Sequence, residues 1–265
     1  MRTGADQGQP GDQRGSESEV SAQSGQECAP NEATFRQTGI PESWVRDPGV
    51  RDPGVLLVLS GPSGSGKSTL ARAAMERFDN LAFSVSYTTR VPRVGEVNGR
   101  DYTFVDEATF EEALKEDALA EWALVHGHRY GTPLNEIRTR TSQGINLLLD
   151  IDPQGARQIK QRYPQAIFIF FVPPSLTVLG ARLRGRGTDS PATIERRLHN
   201  ALGEIREASW YDYLIVNDKL ENALEKFCAV ILAEKCRRSR SARLFEKLRA
   251  DFGLSPEPAH DPESV

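Results

Sequence analysis

The sequence predicts an α/β fold built on a doubly wound parallel sheet. Apolar runs alternate along the chain with segments of good helix formers, the order that produces parallel strands joined by crossover helices. The first run, residues 55–59, is apolar without interruption, as expected of a strand buried on both faces. A glycine-rich turn and then a helix-forming segment, residues 70–78, follow it directly. In such sheets ligands bind at the carboxyl ends of the strands.

The glycine-rich turn fits the phosphate-loop pattern G-x-x-x-x-G-K-[ST] over residues 61–68. Backbone N–H groups and a helix N-terminus converge on phosphates in this setting. Lys67 would reach the outer phosphates, and the Ser68 hydroxyl would ligate Mg²⁺. We therefore expect the chain to bind a nucleoside triphosphate, with Mg²⁺, through Gly61, Pro62, Ser63, Gly64, Ser65, Gly66, Lys67, Ser68 and Thr69.

The remaining core elements follow the same alternation. Strands are expected at residues 145–150, 166–172 and 213–216, and helices over residues 134–142, 154–162, 176–184, 192–207 and 220–238. Asp150 ends its strand beside the phosphate loop, so it would hold Mg²⁺ through water, as a Walker-B acid does.

Two segments interrupt this pattern. Short strands with glycine turns, at residues 83–87, 102–105, 121–125 and 129–130, predict a small antiparallel subdomain inserted into the core. Glycines and clustered arginines in residues 182–189 predict a mobile lid over the phosphates.

The inserted subdomain carries a second candidate anion site. Arg90 and Arg93 flank Pro92 and place two planar guanidinium groups on a stiff loop, which suits a phosphate monoester. Glu96 could orient these arginines, and the Tyr102 hydroxyl could add a neutral hydrogen bond.

These motifs resemble guanylate kinase from about residue 56 to about residue 235. The most specific block runs from Thr88 through Arg90, Arg93 and Glu96 to Tyr102. The resemblance implies a P-loop kinase fold and Mg-dependent transfer of the γ-phosphoryl group of ATP to GMP or dGMP, giving ADP and GDP. Thr132 stands where many relatives have serine.

The resemblance also implies residue roles. The GMP-binding set would be Ser86, Arg90, Arg93, Glu96, Tyr102, Glu121, Tyr130, Thr132 and Asp152. The arginines and tyrosines would hold the phosphate of GMP, and Ser86, Glu121, Thr132 and Asp152 would hold the base. Lys67, Arg90, Arg93, Arg182, Arg186 and Arg197 would stabilise the transferred phosphoryl group, the last three from the lid and the following helix. Asn217 would reach the adenine of ATP.

The predicted organisation is an arm, one catalytic domain and a tail. Residues 1–54 form an acidic arm expected to be disordered, with the linker repeat Val-Arg-Asp-Pro-Gly at residues 45–54. Residues 55–236 form the domain, with its core at 55–82, 143–182 and 191–236, the GMP-binding insert at 83–142 and the lid at 183–190. Residues 237–265 form a basic, then proline-rich and acidic tail, whose helical segment would pack on the domain or bind an anionic partner.

Composition excludes several classes of protein. The arm carries nine acidic and five basic residues, which equals the net charge of −4 and leaves the rest neutral, so no nucleic-acid or membrane partner is expected. Three irregularly spaced cysteines and the lack of a signal or membrane-spanning segment indicate a cytoplasmic protein. It is expected to be a monomer or small homo-oligomer, a choice that the sequence does not settle. Two alternatives stay open: a guanylate-kinase-like interaction module without catalysis, and a kinase of phosphorylated sugars. Retention of Lys67, Ser68, Arg90 and Arg93 argues against the module, and the guanine-reading set against the sugar kinase.

Overall fold

The computed structural model describes residues 52–125, 127–185, 187 and 189–255. Its strands are β1 (Leu56–Ser60), β2 (Leu81–Phe83), β3 (Tyr87–Thr88), β4 (Thr103–Phe104), β5 (Leu119–Val125), β6 (His128–Pro133), β7 (Asn146–Asp150), β8 (Ile167–Val172) and β9 (Tyr213–Val216). Its α-helices are α1 (Lys67–Met75), α2 (Glu107–Lys115), α3 (Leu134–Ser142), α4 (Pro153–Arg162), α5 (Leu176–Gly185), α6 (Pro191–Arg206), α7 (Leu220–Lys235) and α8 (Ala242–Asp251). Short 3₁₀ turns lie at Glu207–Trp210 and Arg238–Arg240.

The core is a parallel sheet of five strands in the order β2-β7-β1-β8-β9. Alternate side chains of β1 enter two apolar clusters, one on each face of the sheet. Leu57 and Leu59 pack with residues of α1 and α7, whereas Val58 packs with residues of α3 and α4. Helices therefore cover both faces, and the predicted doubly wound sheet is confirmed. The phosphate loop and Asp150 lie at the carboxyl ends of adjacent strands, β1 and β7.

A second sheet of four strands has the order β4-β3-β6-β5. The pairs β3–β6 and β5–β6 are antiparallel, as predicted, but β3 and β4 run parallel. The inserted sheet is therefore mixed: two of its strand pairs are antiparallel as predicted, and the β3–β4 pair departs from that expectation. The reason is the long excursion between β3 and β4, which returns the chain to the same end of the sheet.

Several element boundaries differ from the sequence-based expectation. The strand expected at residues 83–87 is two strands: β2 joins the core sheet, and β3 joins the second sheet. Helix α2 was not predicted, and the helix expected over residues 220–238 ends at Lys235. The division into core, insert and lid stays a prediction, although Phe83 pairs with Leu148 in the core sheet.

The start of the tail is anchored through one buried carboxylate. Glu234 of α7, only 3% exposed, accepts hydrogen bonds from the Tyr213 hydroxyl at 2.5 Å, from Arg237 at 2.9 Å and from Arg240 at 3.3 Å. Arg240 also donates to the Gln165 carbonyl at 2.8 Å. These bonds hold the first turns of the tail against the amino ends of β8 and β9. The predicted arm, up to Arg51, and the final acidic residues lie outside the described residues.

Among the residues that the structure describes, every helix is too short or too polar to cross a membrane.

Candidate active site

The phosphate loop owes its shape to glycines in the left-handed region. Gly61, Gly64 and Gly66 have φ angles of 137°, 98° and 98°, which only glycine adopts without strain. Space is restricted as well: a Cβ at Gly61 would lie 2.0 Å from the Phe171 carbonyl oxygen, and one at Gly66 would lie 2.2 Å from Nδ2 of Asn217. The loop is therefore packed closely onto β8 and the segment after β9.

Lys67, Ser68 and Asp150 meet at the first turn of α1. The Lys67 ammonium donates to the Gly61 carbonyl at 2.5 Å and lies 3.7 Å from Oδ1 of Asp150. The Ser68 hydroxyl donates to Oδ2 of the same carboxylate at 2.9 Å. A hydroxyl and a carboxylate side by side are the hard oxygen ligands that Mg²⁺ prefers, with water and phosphate completing its octahedron. The predicted metal residues are thus brought together and fit this ion.

Asn217, at the carboxyl end of β9, supports the loop from behind. Its side chain is buried, and its amide donates to the Ser65 carbonyl at 2.7 Å. Arg182 of α5 donates to the main-chain carbonyls of Asn217 and Asp218, at 2.9 and 3.4 Å. Asn217 thus positions the phosphate loop, and its predicted contact with adenine stays a prediction.

Arg197 of α6 lies at the rim of the phosphate loop. One of its terminal nitrogens is 3.3 Å from the Ser63 hydroxyl and 2.9 Å from a carboxylate oxygen of Asp189. The side chains of Arg197 and Asp189 are 13% and 10% exposed. An arginine is thus held beside the triphosphate position by an acidic residue of the predicted lid. Arg186 lies outside the described residues, so its predicted role stays a prediction.

Arg90 is the best-positioned cation of the inserted subdomain. Its guanidinium group, 8% exposed, donates to Glu96 at 2.9 Å, to the Tyr130 hydroxyl at 3.1 Å and to the Val91 carbonyl at 2.8 Å. It also lies over the rings of Tyr102 and Phe104. The hydrogen bond from Arg90 lowers the pKa of the Glu96 carboxyl, so this group is ionised at neutral pH.

Glu96 orients its two arginines differently. It binds the guanidinium of Arg90, but for Arg93 it accepts a bond only from the main-chain N–H, at 2.7 Å. The Arg93 side chain is exposed. Burial raises the pKa of the Tyr102 hydroxyl to about 12, so Tyr102 can act only as a neutral partner, as predicted.

Glu121, on β5, is a carboxyl group with almost no exposure. It is 3% exposed, and its Oε1 accepts a 2.6 Å hydrogen bond from the hydroxyl of Thr132, its cross-strand neighbour on β6. Burial raises its pKa to about 7, with the Thr132 bond opposing the shift and the charge of Asp152 adding to it. Thr132 is fully buried, and its predicted contact with the base stays a prediction.

Asp152 begins α4 and serves as its N-cap. Its Oδ1 accepts from the Gly155 N–H at 2.9 Å, and its Oδ2 accepts from Gln154 at 3.0 Å. Burial raises the pKa of its carboxyl, and the charge of Lys67 opposes this shift only in part. Asp152 is therefore within electrostatic reach of both Glu121 and Lys67. Ser86, half-buried just before β3, completes the predicted base-binding residues.

The sequence analysis assigned no role to Glu204 and Gln158, which lie close to Asp152 and to the neighbour of Glu121, respectively. Glu204 of α6 shares with Asp152 the lining of a cavity of about 620 Å³. Burial raises the pKa of the Glu204 carboxyl, against the charge of Lys67 and together with that of Asp152. Gln158, on α4, binds both main-chain groups of Trp122, the neighbour of Glu121. No local pattern marks these residues, because their partners lie far away in sequence.

Comparisons with known proteins identify a family for this chain. The guanylate kinase family model matches residues 54–234. The guanylate kinase of Geobacter sulfurreducens is 50% identical over 187 residues, 71% of this chain and 92% of its own, and that of Syntrophotalea carbinolica is 51% identical over 197 residues, 73% of this chain and 94% of its own.

A solved structure is similar across the same region. The crystal structure of guanylate kinase from Anaplasma phagocytophilum has a TM-score of 0.64 and 32% identity, covering 78% of this chain and 99% of its own. Because the family model matches well over half of the sequence and the fold agrees, this chain belongs to the guanylate kinase family.

Proposed function

We propose that the protein transfers the γ-phosphoryl group of ATP to GMP through the residues described above. The observation that carries the proposal is the environment of Glu121, a nearly buried carboxyl that accepts hydrogen bonds from the neutral groups of Thr132 and lies near no cation that we describe at the site. Such a group needs hydrogen-bond donors from a ligand. Guanine offers them at N1 and N2, whereas adenine has no proton at N1. Glu121 and Asp152 therefore favour GMP as the acceptor.

The two phosphate-binding sites define the reaction. The phosphate loop, Lys67 and Ser68 would hold ATP, and Arg90, Arg93, Tyr102 and Tyr130 would hold the phosphate of GMP. Phosphoryl transfer needs little covalent help from a protein, since positioning and charge neutralisation supply most of the catalysis. Mg²⁺ bound by Ser68, and through water by Asp150, would neutralise charge on the outer phosphates of ATP. Arg182, Arg186 and Arg197 would add positive charge as the lid closes.

A coupled assay of ADP release tests the acceptor. GMP and dGMP should be phosphorylated, whereas AMP should be at least about a thousandfold worse and ribose bisphosphate inactive, because AMP leaves the buried carboxyls unpaired. Phosphorylation of ribose bisphosphate in preference to GMP would favour a sugar-phosphate kinase. Binding of GMP without turnover would favour a non-catalytic module.

A lysine variant tests the assignment of the phosphate loop. Lys67→Ala should lower kcat more than tenfold and leave the folded state intact, since its hydrogen bond and its ion pair are made with the loop and Asp150 and it packs in no apolar cluster of the described residues. Lys226→Ala, at an exposed position of α7, is the matched control and should keep wild-type kcat. Equal kcat for both variants would remove Lys67 from its role.

A further inference from the structure

Gly155, in the first turn of α4, lies directly against the carboxyl group of Glu121. A Cβ built on Gly155 would be 2.1 Å from Oε2 and 2.9 Å from Cδ of Glu121. Two heavy atoms cannot approach that closely, so any side chain at position 155 would occupy the space that this carboxyl fills.

Backbone conformation does not explain this glycine. Gly155 lies within a regular helix and is not among the glycines with positive φ. In a helix interior, glycine is less favourable than alanine by about 1 kcal/mol. What distinguishes position 155 is therefore the space beside Glu121.

The two backbones around this contact are pinned. Gln158, one helical turn after Gly155, accepts from the Trp122 N–H at 3.1 Å and donates to the Trp122 carbonyl at 2.6 Å. On its other side, Glu121 is paired with Thr132 across β5 and β6. The Gly155 N–H is bound to Asp152. An added methyl group would thus be accommodated by moving the most flexible part, the end of the Glu121 side chain.

We propose that Gly155 determines base specificity by leaving room for the Glu121 carboxyl beside Asp152. It is a positioning residue, since it would act on guanine through Glu121. The inference rests on the proposed function, in which Glu121 accepts hydrogen bonds from the guanine N1 and N2 groups. A Cβ added at position 155 displaces that acceptor, while the ATP site lies apart from the contact.

The variant Gly155→Ala tests this proposal, because it should change the KM for GMP and leave the KM for ATP almost unchanged. The KM for GMP should rise at least about tenfold, since a displacement near 1 Å can cost up to about a hundredfold. The preference for GMP over AMP should fall by a similar factor, while the KM for ATP stays within about twofold. Gly180→Ala, in helix α5, is the matched control. A Cβ built on Gly180 would lie 3.4 Å from its nearest neighbour, an ordinary van der Waals distance. It should leave both KM values unchanged.

A double-mutant cycle shows whether Gly155 acts through Glu121. In a Glu121→Ala background, Gly155→Ala should change kcat/KM for GMP by less than about twofold, because the displaced group is gone. If the two effects multiply instead, or if Gly155→Ala has wild-type KM for GMP, the inference is overturned while the proposed function stands. A wild-type enzyme that does not phosphorylate GMP overturns both.

The same double variant tests the inference even if Gly155→Ala is too unstable for kinetics. Should Gly155→Ala be unstable, the double variant with Glu121→Ala should recover a melting temperature close to that of Glu121→Ala alone. A double variant as unstable as Gly155→Ala would show that the clash is not with Glu121, which also overturns the inference.

Discussion

At the scale of single residues, the pKa of Glu121 near 7 links base recognition to pH. A protonated carboxyl has lost acceptor capacity toward guanine N1 and N2, so GMP should bind to the ionised form. GMP affinity should therefore rise as the pH increases from 6 to 8, with a proton released from Glu121 on binding. Calorimetry of GMP binding in two buffers of different ionisation enthalpy measures that release.

The variant Glu121→Gln is the control, because it keeps the shape of the side chain and cannot ionise. Its proton release measures the contributions of all groups other than Glu121, so the difference from wild type belongs to Glu121. Equal release by both proteins would contradict the assignment. The sequence indicated a role for Glu121 at the base but not its raised pKa of about 7. The cause is burial, which no local pattern of residues reveals.

The same shift affects stability in the absence of nucleotide. Because the folded-state pKa is raised, from 4.5 to about 7, the neutral carboxyl stabilises the folded protein below the unfolded pKa, and this contribution is lost as the pH rises through 7. The free energy of unfolding of wild type relative to Glu121→Gln should fall by up to about 3 kcal/mol between pH 4.5 and 8. Urea unfolding at several pH values measures this. A constant difference would place the Glu121 pKa near its usual value.

At the scale of elements, the phosphate loop depends on a segment far away in sequence. Asn217→Ala should leave the Ser65 carbonyl without its amide partner, lower the free energy of unfolding by about 1–3 kcal/mol and raise the KM for ATP several-fold. The KM for GMP should stay within about twofold. Thermal unfolding and steady-state kinetics test this, with Asn222→Ala at an exposed position of α7 as the control. An unchanged KM for ATP would show that Asn217 does not position the phosphate loop.

Elements defined by local patterns could be predicted from the sequence. The core strands β1, β7, β8 and β9 are apolar runs, and the phosphate loop is a contiguous motif. Helix α2 could have been found, since Asp106 caps it by accepting from the Thr109 N–H at 2.8 Å. Its apolar side is small, with only Phe110 and Ala113 buried, so its periodicity is weak. The direction of β4 relative to β3 has no local signal at all.

Site residues, too, could be predicted where they lie in a local motif and could not where they depend on the packing of distant elements. Lys67, Ser68 and Arg90 lie in motifs whose spacing predicts their chemistry, and the structure places the first two beside Asp150 and the third beside Glu96. The contact of Gly155 with Glu121, and the ion pair of Asp189 with Arg197, join residues from different elements. Such contacts depend on how those elements pack, which a single sequence does not specify.

At the scale of the whole molecule, the hydrogen bonds to Glu234 anchor the tail at the amino ends of the strands. This end of the sheet lies opposite the phosphate loop. Glu234→Ala removes the shared acceptor of Tyr213, Arg237 and Arg240, so the free energy of unfolding should fall by about 3 kcal/mol. kcat should not change, because these hydrogen bonds lie at the amino ends of the strands. Urea unfolding and kinetics compare it with the exposed Glu225→Ala. A large loss of kcat would show that the tail acts on the active site.

The acidic arm should be dispensable for catalysis, because its sequence lacks periodic apolar residues that could pack on the domain. Removing residues 1–48 should leave kcat/KM for GMP within about threefold of the full chain. Steady-state kinetics of both proteins at the same ionic strength measure this. A larger change in either direction would assign the arm a regulatory role.

The close approach of Gly155 to Glu121 also constrains the order in which these two positions can change during evolution. Alanine at position 155 is costly while the glutamate is present and nearly neutral once the glutamate has been replaced. A lineage that has replaced the glutamate can therefore acquire alanine at position 155 at little cost. If alanine then becomes fixed at position 155, where a helix favours it, the return of glutamate at 121 is blocked. A single added methyl group at position 155 thus makes a change of substrate hard to reverse.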